Sequence, residues 1–225
     1  MPNKNVFHDT YFKEYYSAFT GSFSHQDLER NKRWFTGWFD ALQDLFDFKA
    51  GNGRKVLEIG CSIGAAAAIL EERGFNVLAT DFSEYAVKHA KKLLPNIDFQ
   101  ELDIEESTQF KSKFDLIFGF EVIEHLPQHE KAIGNMKRML KPGGVVICST
   151  PRPYAHIYRD VTHVNVRHPK DWQRIFTAAG FRNVKTKDVT FIPFFYKFSP
   201  KLHFRLPFPI PTRYLNSTVF IYAQK

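Results

Sequence analysis

The sequence predicts an α/β fold, in which helices cover both faces of a doubly wound, mainly parallel sheet of seven strands. Short apolar runs of strand length alternate with segments of helical period, and glycine or proline follows most of the helical segments. Strands that alternate with helices need crossover connections, and these produce a parallel sheet covered by helices. The 225 residues are enough to bury a full-sized core.

The first predicted elements are helical. Ser24, with Asp27 three residues later, has the pattern of a capping box, and apolar residues then recur at helical spacing as far as Phe46. A shorter helix of the same character is predicted over residues 7–19. We therefore expect residues 1–50 to form a helical segment that packs on or caps the core, and residues 51–225 to form the main domain.

Strands and helices alternate through the main domain. Strands are predicted at seven apolar runs: 55–59, 76–80, 97–101, 114–118, 145–149, 183–190 and 218–223. Helices are predicted between them, at 65–73, 83–94, 130–140 and 169–179. Gly74, Pro95 and Gly180 follow three of these helices and are typical of helix ends.

A long insertion, residues 191–217, separates the last two strands. It carries five of the twelve prolines, and its first half alternates aromatic, proline and basic residues, which excludes a regular central strand. Four roles fit this composition: a lid over the acceptor pocket, a patch at 191–214 resting on anionic lipid, a stacking surface for single-stranded nucleic acid, or a cover for the sheet edge.

The charge and the cysteines restrict the partners and the compartment. The net charge is +7, and five of the 31 Lys and Arg residues lie in 190–225, which has no Asp or Glu. The basic excess is therefore largely a C-terminal feature. Cys61 and Cys148 lie far apart in apolar surroundings, which favours reduced thiols. No signal pattern or membrane-spanning run is present in the sequence, so we expect a cytoplasmic protein, with peripheral membrane contact as an open alternative.

Acidic residues and a glycine-bearing turn predict a nucleoside site. The first strand runs into the turn 60–64, and the second and third strands end near Asp81 and Asp103. Asp81 can accept hydrogen bonds from a ribose diol, and Asp103 can accept one from an exocyclic amine. Phe82 and Ile104 offer apolar faces to the base.

The middle of this turn argues against a dinucleotide. A pyrophosphate favours glycine at the position that Ser62 occupies, and no Lys or Arg stands at the start of the following helix. A cofactor without phosphate fits better.

These motifs resemble those of the class I S-adenosylmethionine-dependent methyltransferases, which have a Rossmann-like fold. The resemblance rests on Glu58-x-Gly60-x-x-x-Gly64, Asp81, Asp103, Glu121-Val-Ile-Glu124-His125 and Leu140-Lys-Pro-Gly-Gly144, which occur in the order of that family. It implies that the last strand is antiparallel, that S-adenosylmethionine is the cofactor and that S-adenosylhomocysteine is the product.

The resemblance also assigns parts of the cofactor to residues. The methionine part would lie on the Gly60–Gly64 turn, the ribose on Asp81, the adenine on Asp103 and Ile104, and the sulfonium beside Gly119 and Phe120. The complete predicted cofactor set is Glu58, Gly60, Cys61, Ser62, Gly64, Asp81, Phe82, Asp103, Ile104, Gly119 and Phe120.

A second cluster would face the acceptor. Glu121, Glu124 and His125 share one face of a helical turn after the fourth strand, and His163 follows the fifth strand. Two carboxylates and two imidazoles suit Mg²⁺, Mn²⁺ or Zn²⁺. The pattern resembles the ubiquinone-type O-methyltransferases and the small-RNA 2′-O-methyltransferases, in which it belongs to a metal-assisted site. The alternative is a structural or general-base role for His125 or His163.

The sequence therefore predicts an enzyme that methylates an oxygen of a small-molecule, glycan or lipid-like acceptor. Two alternatives stay open: an RNA 2′-O-methyltransferase, and a non-catalytic module that binds a nucleotide or a membrane.

Overall fold

A computed structural model describes residues 23–192, 195, 199, 202, 204–212 and 214–225. The helix predicted over 7–19 lies outside these residues. The described chain falls into two compact units. The first ends at Asp103 and includes residues 195, 199 and 202, and the second comprises 104–192 and 204–225.

The first unit alternates helices and strands in the predicted order. Its elements are α1 (His25–Ala41), β1 (Lys55–Ile59), α2 (Ala65–Glu72), β2 (Asn76–Asp81), α3 (Glu84–Leu93) and β3 (Asp98–Glu101). The strands are parallel in the order β3-β2-β1, with Ile59 opposite Thr80 and Asp81 opposite Glu101. The carboxyl ends of all three strands therefore lie at one edge, where the nucleoside site is predicted.

The first helix begins where the sequence predicts and ends earlier. Ser24 Oγ accepts a hydrogen bond from the Asp27 backbone N–H, and the Asp27 carboxylate accepts one from the Ser24 N–H, which completes the capping box. The helix ends at Ala41. Phe46, predicted as part of its apolar stripe, instead packs against Phe48 and beneath the Arg54 guanidinium.

The second unit contains the remaining strands. Its elements are β4 (Phe114–Gly119), a 3₁₀ turn (Ile123–His125), α4 (His129–Met139), β5 (Leu140–Pro151), a 3₁₀ turn (Ile157–Arg159), α5 (Pro169–Ala178), β6 (Arg182–Ile192), β7 (Phe204–Leu206) and β8 (Asn216–Gln224). The order is β4-β5-β8-β6-β7, in which β4 and β5 are parallel and the later pairs antiparallel. The α/β class and the antiparallel last strand are confirmed.

The sheet has eight strands, whereas the sequence predicts seven. The additional strand, β7, lies in the proline-rich insertion and pairs three residues with the end of β6. It is short and lies at the sheet edge, where a neighbouring proline costs no ladder hydrogen bond.

The fifth strand begins five residues earlier than the predicted start at Val145. Leu140 already pairs with Phe114, and a register shift follows before Leu116 pairs with Val145. Gly144 lies in this irregular stretch, where an added Cβ would come within 3.1 Å of the Phe114 carbonyl oxygen. A larger residue would therefore push the two strands apart.

None of the helices in the described part of the chain is both long enough and apolar enough to span a membrane.

Candidate active site

The turn after β1 has a backbone that few residues can adopt. Gly60, Ser62 and Gly64 have φ angles of 70°, 47° and 80°, three left-handed conformations within five residues. An added Cβ on Gly64 would lie 2.7 Å from the Phe99 ring, so only glycine fits that position. Ser62 is a strained non-glycine residue, and such residues concentrate at ligand sites.

Asp81 holds this turn against the end of β2. Its Oδ2 accepts a 2.9 Å hydrogen bond from the Ser62 N–H, and its Oδ1 accepts one of 2.9 Å from the Ser83 N–H. Burial raises the pKa of Asp81, and these backbone donors oppose the rise. Each carboxylate oxygen has a second lone pair, so Asp81 can still accept hydrogen bonds from a ribose diol.

The polar atoms beneath the turn suit a cationic ligand. Burial, and then the charge of Asp81, raises the pKa of Glu58 well above its ordinary value, and its Oε2 accepts no hydrogen bond. Ser62 Oγ is also buried and unpartnered. Burial raises the pKa of Cys61 as well, which makes it a neutral thiol. S-adenosylmethionine carries a sulfonium and an ammonium group and no phosphate. A ligand with these charges would lower the raised pKa of Glu58 and stabilise its ionised form, so the residues present fit it.

The other predicted cofactor residues lie where their strands end. Asp103 is half-buried and Phe82 is 36% exposed, both in the first unit. Ile104, Gly119 and Phe120 belong to the second unit and are buried. The Phe120 ring packs against Phe118 and edge-on against Phe220.

Glu121 is strained and firmly bound. Its φ is 55°, its backbone N–H donates to Ser149 Oγ at 2.9 Å, and its Oε1 accepts from the same hydroxyl at 2.7 Å. Burial raises the pKa of Glu121 to about 7, although hydrogen bonds from Ser149 and Thr218 oppose the rise. Ser149 therefore fixes both the backbone and the carboxyl group of Glu121.

Three of the four predicted metal ligands come together. Ligand atoms of Glu124, His125 and His163 all lie within 4.8 Å of one another. Glu121, the fourth, is bound to Ser149 and is not part of this group. Glu124 is fully buried, neither of its carboxylate oxygens accepts a hydrogen bond of good geometry, and Oε1 lies 4.0 Å from His125 Nε2. Burial, and then the charge of Glu121, raises the pKa of Glu124 well above its ordinary value, although its own backbone N–H and the Thr150 hydroxyl oppose the rise.

Both imidazoles are oriented by backbone carbonyls. His125 Nδ1 lies 3.1 Å from the Thr162 oxygen, and His163 Nδ1 lies 2.9 Å from the Ile157 oxygen. Each Nδ1 must therefore donate its proton, which leaves a lone pair on Nε2. Burial, and then the charge of His163, lowers the pKa of His125 to about 4, so it is neutral at pH 7.

The loop that carries His163 is tied to the Glu124 turn. The Asn165 N–H donates to the Glu124 carbonyl at 2.8 Å, and its side-chain amide donates to the Leu126 carbonyl. Asp160 accepts from both the N–H and the hydroxyl of Thr162, which fixes the carbonyl that orients His125. Ser149 and Asn165 were not predicted, because nothing in the sequence around either residue distinguishes it from an ordinary strand or loop residue.

The donor set fits a divalent cation. Glu124 offers carboxylate oxygens without a well-formed hydrogen bond. The two imidazoles are oriented by hydrogen bonds from Nδ1 to backbone carbonyls, as histidine ligands of metals usually are. The metal and the catalytic roles of these residues remain predictions.

A glycine turn after the first strand of a parallel α/β sheet, with carboxylates at the strand ends, defines a nucleoside-binding class of protein. The sequence model of a methyltransferase domain family matches residues 29–186, most of the chain. The chain belongs to this family and is a class I S-adenosylmethionine-dependent methyltransferase.

Curated relatives agree with this family. The chain is 33% identical over 134 residues to a probable S-adenosylmethionine-dependent methyltransferase of Mycolicibacterium smegmatis, covering 57% of this chain and 52% of the relative. It is 36% identical over 102 residues to a ubiquinone biosynthesis O-methyltransferase of Coxiella burnetii, covering 44% of each. The chain thus spans about half the length of the curated relatives it matches.

Solved structures share the fold at low identity. A SAM-dependent methyltransferase from Archaeoglobus fulgidus has a TM-score of 0.66 at 18% identity, over 94% of this chain and 100% of the other. Phosphoethanolamine N-methyltransferase 2 of Haemonchus contortus, solved with S-adenosyl-L-methionine, has a TM-score of 0.66 at 16% identity, over 95% of this chain and 60% of the other.

Proposed function

We propose that this chain transfers a methyl group from S-adenosylmethionine to an oxygen of a small-molecule, glycan or lipid-like acceptor. The observation that carries the proposal is the buried Glu124 carboxyl group, which accepts no hydrogen bond of good geometry and lies within 4.8 Å of two oriented imidazoles. An unsatisfied buried carboxyl group costs stability, so such a cluster is retained for a ligand or for chemistry.

The first unit would hold the cofactor. The Gly60–Gly64 turn and Glu58 would take the methionine part, Asp81 would bind the ribose, and Asp103 would bind the adenine. The bound cofactor supplies an electrophilic methyl group on a sulfonium. The acidic residues attract that charge, and the absence of Lys and Arg from the turn disfavours a phosphate-bearing ligand.

The second unit would orient and deprotonate the acceptor hydroxyl. Methyl transfer is an in-line displacement, so the protein has to align the attacking oxygen and remove its proton. His125 Nε2 and His163 Nε2 both carry lone pairs that can accept this proton. Glu124 then stabilises the imidazolium that forms.

A divalent cation is the second way to activate the hydroxyl. Glu124, His125 and His163 would hold it, and Glu121 would join them only by giving up its hydrogen bond to Ser149. A bound cation lowers the pKa of the hydroxyl. The Coxiella burnetii relative is named as an O-methyltransferase, which supports oxygen as the acceptor atom.

Incubation with methyl-labelled S-adenosylmethionine and separate pools of quinols, glycans, lipids and RNA tests the proposal. We expect a mass increase of one labelled methyl group in the quinol, glycan or lipid pool. Labelling of RNA alone would contradict the proposed acceptor, and labelling of none while S-adenosylhomocysteine binds would favour a non-catalytic module.

A further inference from the structure

Six large apolar side chains are exposed in the described part of the second unit, and all of them lie in two segments. They are Tyr158, Val161, Val164, Phe204, Phe208 and Tyr214. Val161 is 77% exposed and Tyr214 is 66% exposed. An isolated exposed apolar residue needs no explanation. Six such residues confined to two short segments of the chain indicate a contact surface.

The two segments leave the sheet at the same edge. The end of β5, Pro151, pairs with Thr218 at the start of β8, and Val189 near the end of β6 pairs with the same residue. The loop 152–168 follows Pro151, and the segment 204–215 leads into β8. Both loops therefore begin or end at the edge where β4 delivers Glu121 and Glu124.

The first segment also carries part of the acceptor site. The Thr162 carbonyl oxygen orients His125, and a ring nitrogen of His163 lies within 4.8 Å of the ligand atoms of Glu124 and His125. Tyr158, Val161 and Val164 alternate with them along the loop and are exposed. A binding partner in contact with these three side chains would lie next to the acceptor cluster.

The second segment is held in place by two buried hydroxyls. Thr190 Oγ1 lies 2.7 Å from the Phe208 carbonyl oxygen and 2.7 Å from Ser217 Oγ. Ser217 Oγ accepts from the Ile210 N–H at 3.0 Å and donates to its carbonyl at 2.9 Å. The backbone around Phe208 is thus fixed to β6 and β8, while the Phe208 ring is 52% exposed.

The charge of the two segments favours an anionic partner. They contain Arg159, Arg205 and Arg213 against Asp160, a charge of +2, and the longer stretch 151–217 that holds them contains twelve Lys and Arg against three Asp. Aromatic side chains among basic residues match an anionic bilayer surface, where the rings enter the headgroup region and the cations face lipid phosphates. Phe, Tyr and Pro among Lys and Arg are typical of such interfacial segments.

We propose that residues 157–164, 204–212 and 214 form a membrane-contact surface for an anionic bilayer, which presents an amphiphilic acceptor to the Glu124 cluster. The nature of the acceptor rests on the proposed function, whereas the membrane contact itself does not. The lipid contact would let a poorly soluble acceptor reach the site without entering water.

Sedimentation with vesicles tests this surface. We expect the chain to bind phosphatidylcholine vesicles that contain phosphatidylglycerol and to bind pure phosphatidylcholine much more weakly. The double variant F208S/Y214S should lose about tenfold or more in partitioning, and Arg205→Glu about fivefold or more. Lys111→Glu is the matched control, because it makes the same charge change before β4, at the opposite edge, and should leave binding unchanged.

A tryptophan probe tests insertion directly. Trp34, Trp38 and Trp172 are buried, so the native protein should show little quenching by brominated lipid. Phe208→Trp should show strong quenching when the vesicles are anionic. Absence of that quenching in vesicle-bound protein would contradict insertion.

Three further results would overturn the membrane-contact proposal. Failure to bind anionic vesicles, or binding that is unchanged in F208S/Y214S, would overturn the proposal. Preferential binding of single-stranded RNA that depends on the same aromatic residues would identify the surface as a nucleic-acid platform and overturn it as well. Calorimetric binding of S-adenosylhomocysteine by each variant separates these results from a failure of the fold or of the proposed function.

Discussion

Asp81 Oδ2 accepts a 2.9 Å hydrogen bond from the Ser62 backbone N–H, and this bond fixes the strained turn after β1 to the end of β2. The two residues are 19 positions apart, and their contact requires β1 and β2 to be parallel neighbours. One carboxylate thus shapes the turn, and it is the residue that we propose binds the ribose of the cofactor.

Replacing Asp81 should weaken cofactor binding. In Asp81→Ala the Ser62 and Ser83 N–H groups lose their acceptor, and the ribose loses a charged one. We expect about a tenfold or greater increase in the Kd for S-adenosylhomocysteine by calorimetry. Asp98→Ala, an exposed carboxylate at the start of β3, is the control and should bind normally. Equal affinity of the two variants would refute the ribose assignment.

Two glycine substitutions should change stability in opposite directions. Gly64→Ala places a Cβ 2.7 Å from the Phe99 ring at φ 80°, so we expect a loss of roughly 2–4 kcal/mol in the free energy of unfolding. Gly134→Ala, in α4 with open space around the new Cβ, should gain about 1 kcal/mol. Urea denaturation measures both. A Gly64→Ala variant as stable as the native protein would be inconsistent with this geometry of the turn.

Glu58 should make the ligand-free protein less stable as the pH rises. Its pKa is raised in the folded state, so folding binds a proton that the unfolded chain releases above its ordinary value near 4.5. Stability is therefore fully present below pH 4.5 and is lost as the pH rises through the folded pKa.

The variant Glu58→Gln cannot titrate and tests this effect. Its free energy of unfolding should fall less between pH 5 and 8 than that of the native protein, and by about 1.4 kcal/mol less for each unit of raised pKa. Its affinity for the cationic cofactor should also fall. If the free energy of unfolding changed with pH in the same way for both proteins, Glu58 would not be the source of the pH dependence.

The Glu124 cluster should be essential for turnover and not for cofactor binding. Glu124→Gln removes the buried carboxylate, and we expect a loss of about a hundredfold or more in kcat with little change in the Kd for S-adenosylhomocysteine. Glu130→Gln, an exposed carboxyl group in the first turn of α4, is the control. If a divalent cation assists, a chelator abolishes turnover and Mg²⁺, Mn²⁺ or Zn²⁺ restores it, whereas turnover that resists the chelator excludes the metal.

The sequence predicted the features that depend on residues close together in the chain, such as helix caps and strand ends. Ser24 and Asp27 cap a helix that the sequence marks, and Gly60, Gly64 and Asp81 lie at strand ends that apolar runs reveal. The strand β7 has only three residues, too few for the alternation of Phe204, Arg205 and Leu206 to indicate a strand. Its pairing with β6 joins residues that are 12 to 16 positions apart in the sequence.

The sequence indicated the acidic and histidine residues of the candidate site. It did not indicate Ser149 and Asn165, which hold those residues in place. The spacing of Glu121, Glu124 and His125 suggested one common face, but the positive φ of Glu121 and its bond to Ser149 separate it from the other two. Ser149 lies 28 positions away and Asn165 lies 41 positions beyond Glu124. Contacts over such separations follow from strand order and loop path, which one sequence does not display.

Calorimetric titration of the chain with S-adenosylmethionine, S-adenosylhomocysteine and NADH tests the central claim most directly. Saturable binding of both sulfur compounds and no binding of NADH is the predicted result, because the carboxyl groups of Glu58 and Asp81 flank the turn and fit a cationic ligand, and the turn lacks a pyrophosphate site. Binding of NADH without either sulfur compound would contradict the claim.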